Sequence, residues 1–356
     1  MDPFYILPGK LLDACMKALP LSNTSEETIA LYDEADTQKA QKKASEDNLT
    51  ETVIIKEVGC FSRKQIETFK RIQNLKTAVQ LGLDMHKWLM EEGPPALPAE
   101  YHALAKKKVA DEVLKTYPYT QLPGLPNIQD FQFVLLYRAT PPTWLSDAAI
   151  RALCERLVAV FPAFRFAGFQ SAVTKSKKTR SADLNQVEES TLNRILHQVG
   201  ERGVDVVMLP LNFGNAHWCC MVVRVKAKRI FYYDPLNRSA YLQPAGDIAK
   251  HIKIRGLYDY DVLPRNNPIQ FDAFSCGVYV CWNFIRQAGA GTPVDMSVNS
   301  LPRRRFELFY YLLSGRLLTK DGSATAADDD EEKIPVPQDE DGEGDEDDVP
   351  QTQIAQ

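Results

Sequence analysis

Apolar residues recur at three- and four-residue steps through Ile66, Phe69, Ile72, Leu75, Ala78, Leu81, Met85 and Leu89, which predicts an amphipathic helix over 63–92 that Gly93-Pro94-Pro95 ends. A weaker stripe through Tyr101, Leu104, Val109, Val113 and Leu114 predicts a second helix over 98–116. Ile150, Leu153, Leu157 and Val160 give a third over 146–160, with Ser146 placed to cap it. Later the period changes. Val204–Leu211 is apolar without a break, as in a strand buried on both faces. Trp218–Val225 and Ile230–Tyr233 follow as two arms of a hairpin turning near Lys226–Arg229. Further helices are expected over 188–200, 247–253 and 302–318, and short strands over 51–58, 131–137 and 261–264.

Composition adds limits. The chain has 356 residues, 44% of them hydrophobic and 25% charged, as in an ordinary globular protein. No stretch approaches a membrane span, and the first ten residues lack the pattern of a secretory signal, so no membrane partner is expected. Seven cysteines, an odd number without framework spacing, fit a reducing setting, nuclear or cytoplasmic. The net charge of −5 hides an asymmetry: residues 321–356 hold fourteen Asp and Glu against one Lys, which leaves +8 on the remainder. A mildly basic body suits a partner with an acidic protein surface, and nucleic acid is not the expected partner. Ser22–Asn48 reads as a loose arm and Thr319–Gln356 as a disordered acidic tail. Lys175–Arg180 is a basic run suited to nuclear import, to an acidic partner or simply to a solvated loop.

The candidate chemistry centres on Gln270-Phe-Asp-Ala-Phe-Ser-Cys276-Gly277. The apolar run after Cys276 predicts a buried helix through Trp282, Phe284 and Ile285, so the thiol stands at a helix N-terminus, where unpaired N–H groups favour a thiolate. Gly277 is expected to leave room for a substrate backbone. A nucleophile needs a base and an orienter. His217 enters the first arm of the hairpin and Asp234 leaves the second, so antiparallel pairing brings them to one end of the sheet. The candidate triad is His217, Asp234 and Cys276. A zinc site built from His217, Cys219 and Cys220 is disfavoured because neighbouring strand residues face opposite ways and no Cys-x-x-Cys is present. No cofactor or metal is expected.

These residues carry a resemblance. His217-Trp218, then Asp234 after an aromatic strand, then Gln270-x5-Cys276-Gly277 followed by Val-Tyr-Val-Cys, and upstream Trp144-Leu-Ser-Asp147, together resemble the Ulp/SENP-type cysteine proteases that process SUMO and related ubiquitin-like modifiers. The resemblance spans roughly 129–318. It implies an α+β, papain-like fold of the Ulp type, with a central mixed or antiparallel sheet flanked by helices. The implied organisation is an N-terminal helical, partly disordered region over 1–122, a protease domain over 123–318 and a disordered acidic tail over 319–356. It also implies that Gln270 and the Cys276 N–H stabilise an oxyanion. Trp144 and Trp218 would flank a di-glycine tail, and Asp147 would meet a basic residue of the modifier. One departure stands out: family members commonly carry Asn-x-x-Asp-Cys-Gly where this chain has Asp272-Ala-Phe-Ser275-Cys276-Gly277. Serine can still cap the helix, but the carboxylate before the cysteine is gone.

Three functional classes fit. The first is a thiol isopeptidase acting on a ubiquitin-like modifier and its conjugates, with SUMO the leading choice. The second is a Yop-type acyltransferase using the same triad, and the third an inactive modifier-binding module. The helices over 63–116 either pack on the protease domain or pair with another protein.

Overall fold

The computed structural model describes residues 7–18, 29–30, 52–56, 58–125, 128, 131–174, 186–288 and 295–318. The basic run Lys175–Arg180, the acidic stretch Thr319–Gln356 and most of the arm Ser22–Asn48 lie outside the described residues. Helix α1 (Gly9–Ala18) and a small sheet of β1 (Ile29–Ala30), β2 (Thr52–Ile55) and β3 (Gly59–Ser62) precede the long helix α2 (Arg63–Lys87). Ser62 starts α2 with a reciprocal capping box: its hydroxyl takes the Gln65 N–H while the Gln65 side chain takes the Ser62 N–H. The helix runs on through a wider turn over Trp88–Glu92. Its inward face is Ile66, Ala78, Gly82 and Met85; Ile72, part of the expected stripe, faces outward at 42% exposure.

The second expected helix is α3 (Ala99–Ala103) and α4 (Ala110–Lys115), joined by a wide turn over Leu104–Val109. The strand expected over 131–137 is instead a 3₁₀ helix, Phe133–Ala139, with Phe133, Leu136, Tyr137 and Ala139 buried. A short apolar run does not distinguish a buried strand from a buried helical turn, and here the packing decides. Tyr137 lies so close to α2 that a Cβ on Gly82 would sit 3.2 Å from its ring.

The remaining described chain builds one mixed sheet. After α5 (Asp147–Val160), capped by Ser146 as expected, come β4 (Phe164–Phe166), β5 (Gln170–Ala172), α6 (Glu189–Gly200), β6 (Val206–Phe213), β7 (His217–Arg224) and β8 (Arg229–Tyr233). Helix α7 (Ser239–Gly256), strand β9 (Asp261–Arg265) and helices α8 (Cys276–Arg286) and α9 (Leu301–Ser314) follow. The sheet order is β4-β6-β7-β8-β9, with β5 also on β6. Pairing is antiparallel across β6-β7-β8 and parallel elsewhere. Helix α7 is longer than the expected 247–253 because Pro244, which reads as a breaker, is accommodated and buried inside it.

Both faces of this sheet are covered, and the strand periodicity shows it. Trp218, Cys220 and Val222 join a core with α5, α8 and α9, whereas Cys219, Met221 and Val223 join a second core with α6 and α7. That explains the unbroken apolar run in β6. The first core continues without a seam into the N-terminal helices. Leu97, Tyr101, Val109 and Val113 lie in it with Phe306 and Phe309, and Trp88 and Tyr101 meet Phe306 at 6.4 and 6.1 Å between ring centroids. Tyr101 also donates to the buried Glu307 carboxylate of α9 at 3.3 Å.

Candidate active site

Two strand registers bring the candidate base and its candidate orienter together. Gly214 (φ 59°) and Asn215 (φ 57°) make the β6–β7 turn in the left-handed region, which glycine and asparagine adopt most readily. The closing pair Phe213–His217 makes His217 the first residue of β7. In the next register Cys220 faces Tyr233, so Asp234, just beyond β8, arrives beside Cys219 and His217. His217 Nε2 is 2.6 Å from Asp234 Oδ1. The carboxylate is fully buried, and further donors satisfy it: the N–H groups of Leu236 (3.0 Å) and Arg238 (2.8 Å) and, more weakly, the Cys219 thiol (3.6 Å). Tyr241 of α7 lies over the imidazole, with ring centroids 4.3 Å apart.

Cys276 opens α8, where the first N–H groups have no intrahelical acceptor. Burial alone disfavours a charged imidazole at His217. Hydrogen bonds to Asp234 and Cys276, and the charges of both, outweigh that and push its pKa up to about 9. Because Nε2 is bound to Asp234, the sulfur meets Nδ1. The arrangement is a buried thiol, imidazole and carboxylate in series, able to hold a thiolate–imidazolium pair.

The other expected residues fall as follows. The Gln270 N–H donates to Pro235 O at 2.7 Å, and Tyr233 reaches Pro268 O at 2.5 Å, so the loop before the nucleophile is tied to the turn that holds Asp234. The Gln270 side chain is buried; its amide nitrogen donates to Asp272 O (2.7 Å) and Asp272 Oδ1 (3.0 Å), and its buried Oε1 has no partner among the described residues. Oxyanion duty therefore requires an N–H to leave Asp272. Gly277 corrects an expectation: the space it leaves is filled by Leu145, whose Cβ would stand 3.0 Å from a Cβ at this position, with Ile150 beyond. Its role here is close packing of α8 on the start of α5. Ser275 corrects another, since it occupies the N-cap position without a capping bond and sends its hydroxyl to Asp272 Oδ2 at 2.5 Å.

Trp218 is 7% exposed and packs on Phe169 at 5.6 Å between centroids, whereas Trp144 is 41% exposed. Trp144 precedes Leu145, the residue packed against Gly277. Asp147 is exposed on the first turn of α5 and accepts the Ala148 N–H at 2.9 Å. Candidate ligand atoms of His217, Cys219 and Asp234 lie within 4.8 Å of one another. Cys220 faces the opposite core, as strand alternation requires, and cannot join them.

Four participants escaped the sequence reading: Tyr241, Cys219, Asp272 and Arg305, the last of which donates to Ser275. Strand alternation alone put Cys219 on the face of His217. The spacing Asp272–Ser275 carried a signal for a local carboxylate turn. Tyr241 and Arg305 had none, because only tertiary packing brings their helices to the site.

Among the described residues no helix is long and apolar enough to cross a membrane. Residues 151–309 match the family model described as the Ulp1 protease family, C-terminal catalytic domain. Ubiquitin-like-specific protease 1 of Saccharomyces cerevisiae is 25% identical over 121 residues, covering 32% of this chain. The chain spans about a fifth, 19%, of that relative's length. Among solved structures, the C-terminal Ulp1 protease domain in complex with Smt3, the yeast ortholog of SUMO, is 21% identical with a TM-score of 0.42, covering 57% of this chain and 91% of that one. A Ulp1-like SUMO protease catalytic domain from Chaetomium thermophilum is 17% identical with a TM-score of 0.42, covering 62% of this chain and 90% of that one. His217, Asp234 and Cys276 all lie inside the segment, residues 151–309, that matches the Ulp1 protease family model.

Proposed function

We propose that this protein is a cysteine-type peptidase that cleaves after the C-terminal glycine pair of a ubiquitin-like modifier, SUMO foremost, releasing it from precursors or conjugates. The observation that carries the reading is the series Cys276–His217–Asp234, with its 2.6 Å imidazole–carboxylate contact. His217 takes the Cys276 proton, and the thiolate attacks the carbonyl of the modifier's last glycine. The Cys276 N–H, and Gln270 once one of its N–H groups leaves Asp272, receive the oxyanion. The imidazolium gives its proton to the departing amine as the C–N bond breaks, and water, deprotonated by His217, then clears the thioester. Asp234 keeps the imidazole in the useful tautomer and does not itself take the proton.

Access supports glycine at the scissile bond. Cys276 and His217 expose only 3% and 4% of their surfaces, so an extended tail without side chains approaches where a bulkier one is excluded. The exposed Trp144 is suited to lie against such a tail, and Asp147 to pair with a basic residue beyond it. The test is a panel of ubiquitin-like modifiers bearing C-terminal thiol-reactive warheads, run beside Cys276→Ala. Labelling of the unmodified protein alone supports the peptidase. Self-acylation by acetyl-CoA without modifier labelling indicates an acyltransferase, and modifier binding without labelling an inert binding module.

A further inference from the structure

The buried guanidinium of Arg305 is 1% exposed and, among the described residues, bonds no carboxylate directly. Nη1 donates to the backbone oxygens of Ala139 (3.0 Å) and Thr143 (3.3 Å), and Nη2 to Phe274 O (3.4 Å) and Ser275 Oγ (3.0 Å). A charge so placed needs an anion nearby. The Ser275 hydroxyl has one proton. Because its oxygen accepts from Arg305, that proton goes outward, and it goes to Asp272 Oδ2. The second oxygen of Asp272 accepts the N–H groups of Phe274 (2.9 Å) and Ser275 (2.7 Å) and the Gln270 amide (3.0 Å). Burial pushes the Arg305 pKa down to about 10, while Asp272 and Cys276, as anions, hold it up.

We infer that Asp272, Ser275 and Arg305 form a positioning relay for Cys276, in which a carboxylate bridged by a hydroxyl to a buried guanidinium fixes the entry to α8. The inference rests on the reading of Cys276 as the nucleophile. One guanidinium clamps the segment through Ala139 and Thr143, which leads to Leu145 against Gly277, to the loop end at Phe274 and Ser275. One carboxylate fixes the entry to α8 and the amide of Gln270.

Moving the carboxylate from one end of the Asp272–Ser275 bond to the other tests the relay. Asp272→Asn, Ser275→Asp and the double variant are compared in the full chain. Two readouts are used: the rate at which iodoacetamide alkylates Cys276, mapped by mass spectrometry across pH, and kcat and KM on a modifier substrate. Asp272→Asn strands the Ser275 proton and loosens Gln270; misplacement on this scale lowers kcat by about 10²-fold with KM little changed. Ser275→Asp sets two carboxylates within hydrogen-bonding distance and costs a similar factor, because both cannot stay ionised. The double variant returns one carboxylate next to Arg305 and an amide to position 272, and recovers to within about threefold of the unmodified protein. Should a single variant fail to fold, recovery of its melting transition in the double variant counts for the relay. Asp272→Asn behaving like the unmodified protein, or a double variant no better than the poorer single, overturns it. The alkylation readout needs no modifier, so failure of the relay and failure of the peptidase reading are separable.

Discussion

The two halves of the site are held by different means. His217 and Asp234 stand 17 residues apart on consecutive strands, and two antiparallel registers bring them to 2.6 Å. Cys276 and Gln270 lie on a loop and a helix start. They are fixed by side chains: Asp272, Ser275, Leu145 and an arginine 30 residues beyond Ser275. Backbone ladders hold position whatever the neighbouring side chains are, so the sheet half depends on few identities. The helix half depends on a matched set, and a change in one member is tolerable when another answers it.

Removing the sulfur erases both halves at once. Cys276→Ala is expected to lower turnover by about 10⁴-fold or more and to abolish warhead labelling, with modifier binding retained in a pull-down. Asp234→Asn strikes only the sheet half. It is expected to cost about 10²–10⁴-fold in kcat, and no second substitution in the helix half should recover it. Its pH profile carries a sign. A raised histidine pKa keeps the imidazolium up to about pH 9, so the basic limb of kcat/KM falls there; in Asp234→Asn, with that partner's charge lost, the limb moves to lower pH. A basic limb unmoved by Asp234→Asn would separate the carboxylate from the imidazole and break the comparison.

Smaller effects sharpen it. Gln270→Ala is expected to lower kcat by about 10²–10³-fold with binding kept; lost affinity at unchanged turnover would remove Gln270 from the oxyanion role. Gly277→Ala forces a methyl against Leu145 and is expected to destabilise the fold by about 1–3 kcal/mol, read as a lower midpoint in urea. A midpoint unchanged alongside a large loss of turnover would restore the substrate-approach reading of that glycine. Trp144→Ala, which removes an exposed ring, is expected to raise KM several-fold at nearly constant kcat, measured on a modifier conjugate.

The sheet half was legible in the sequence for the reason that makes it robust. Strand alternation and hairpin turns are local, so Trp218–Val225, Ile230–Tyr233 and the meeting of His217 with Asp234 followed from spacing. The helix start at Cys276 was legible too, from the apolar run behind it. The contacts that complete the helix half were not. Arg305 sits in an apolar helix pattern and reads as one of three consecutive arginines; only the packing of α9 turns it toward Ser275. The serine at the N-cap position looked like a cap and became a bridge, because its hydroxyl oxygen accepts from Arg305 in place of a helix N–H while its proton goes to the charged Asp272 carboxylate. The run over 131–137 failed differently: its apolar residues fit a strand or a buried 3₁₀ turn equally, and Tyr137 against α2 selects the turn.

The central claim is that His217 activates the Cys276 sulfur. The most direct measurement is the rate of Cys276 alkylation by iodoacetamide at one fixed pH, mapped by mass spectrometry, in the unmodified protein and in His217→Ala. The expected result is a sulfur that reacts markedly faster in the unmodified protein than in His217→Ala. Equal rates in the two would contradict it.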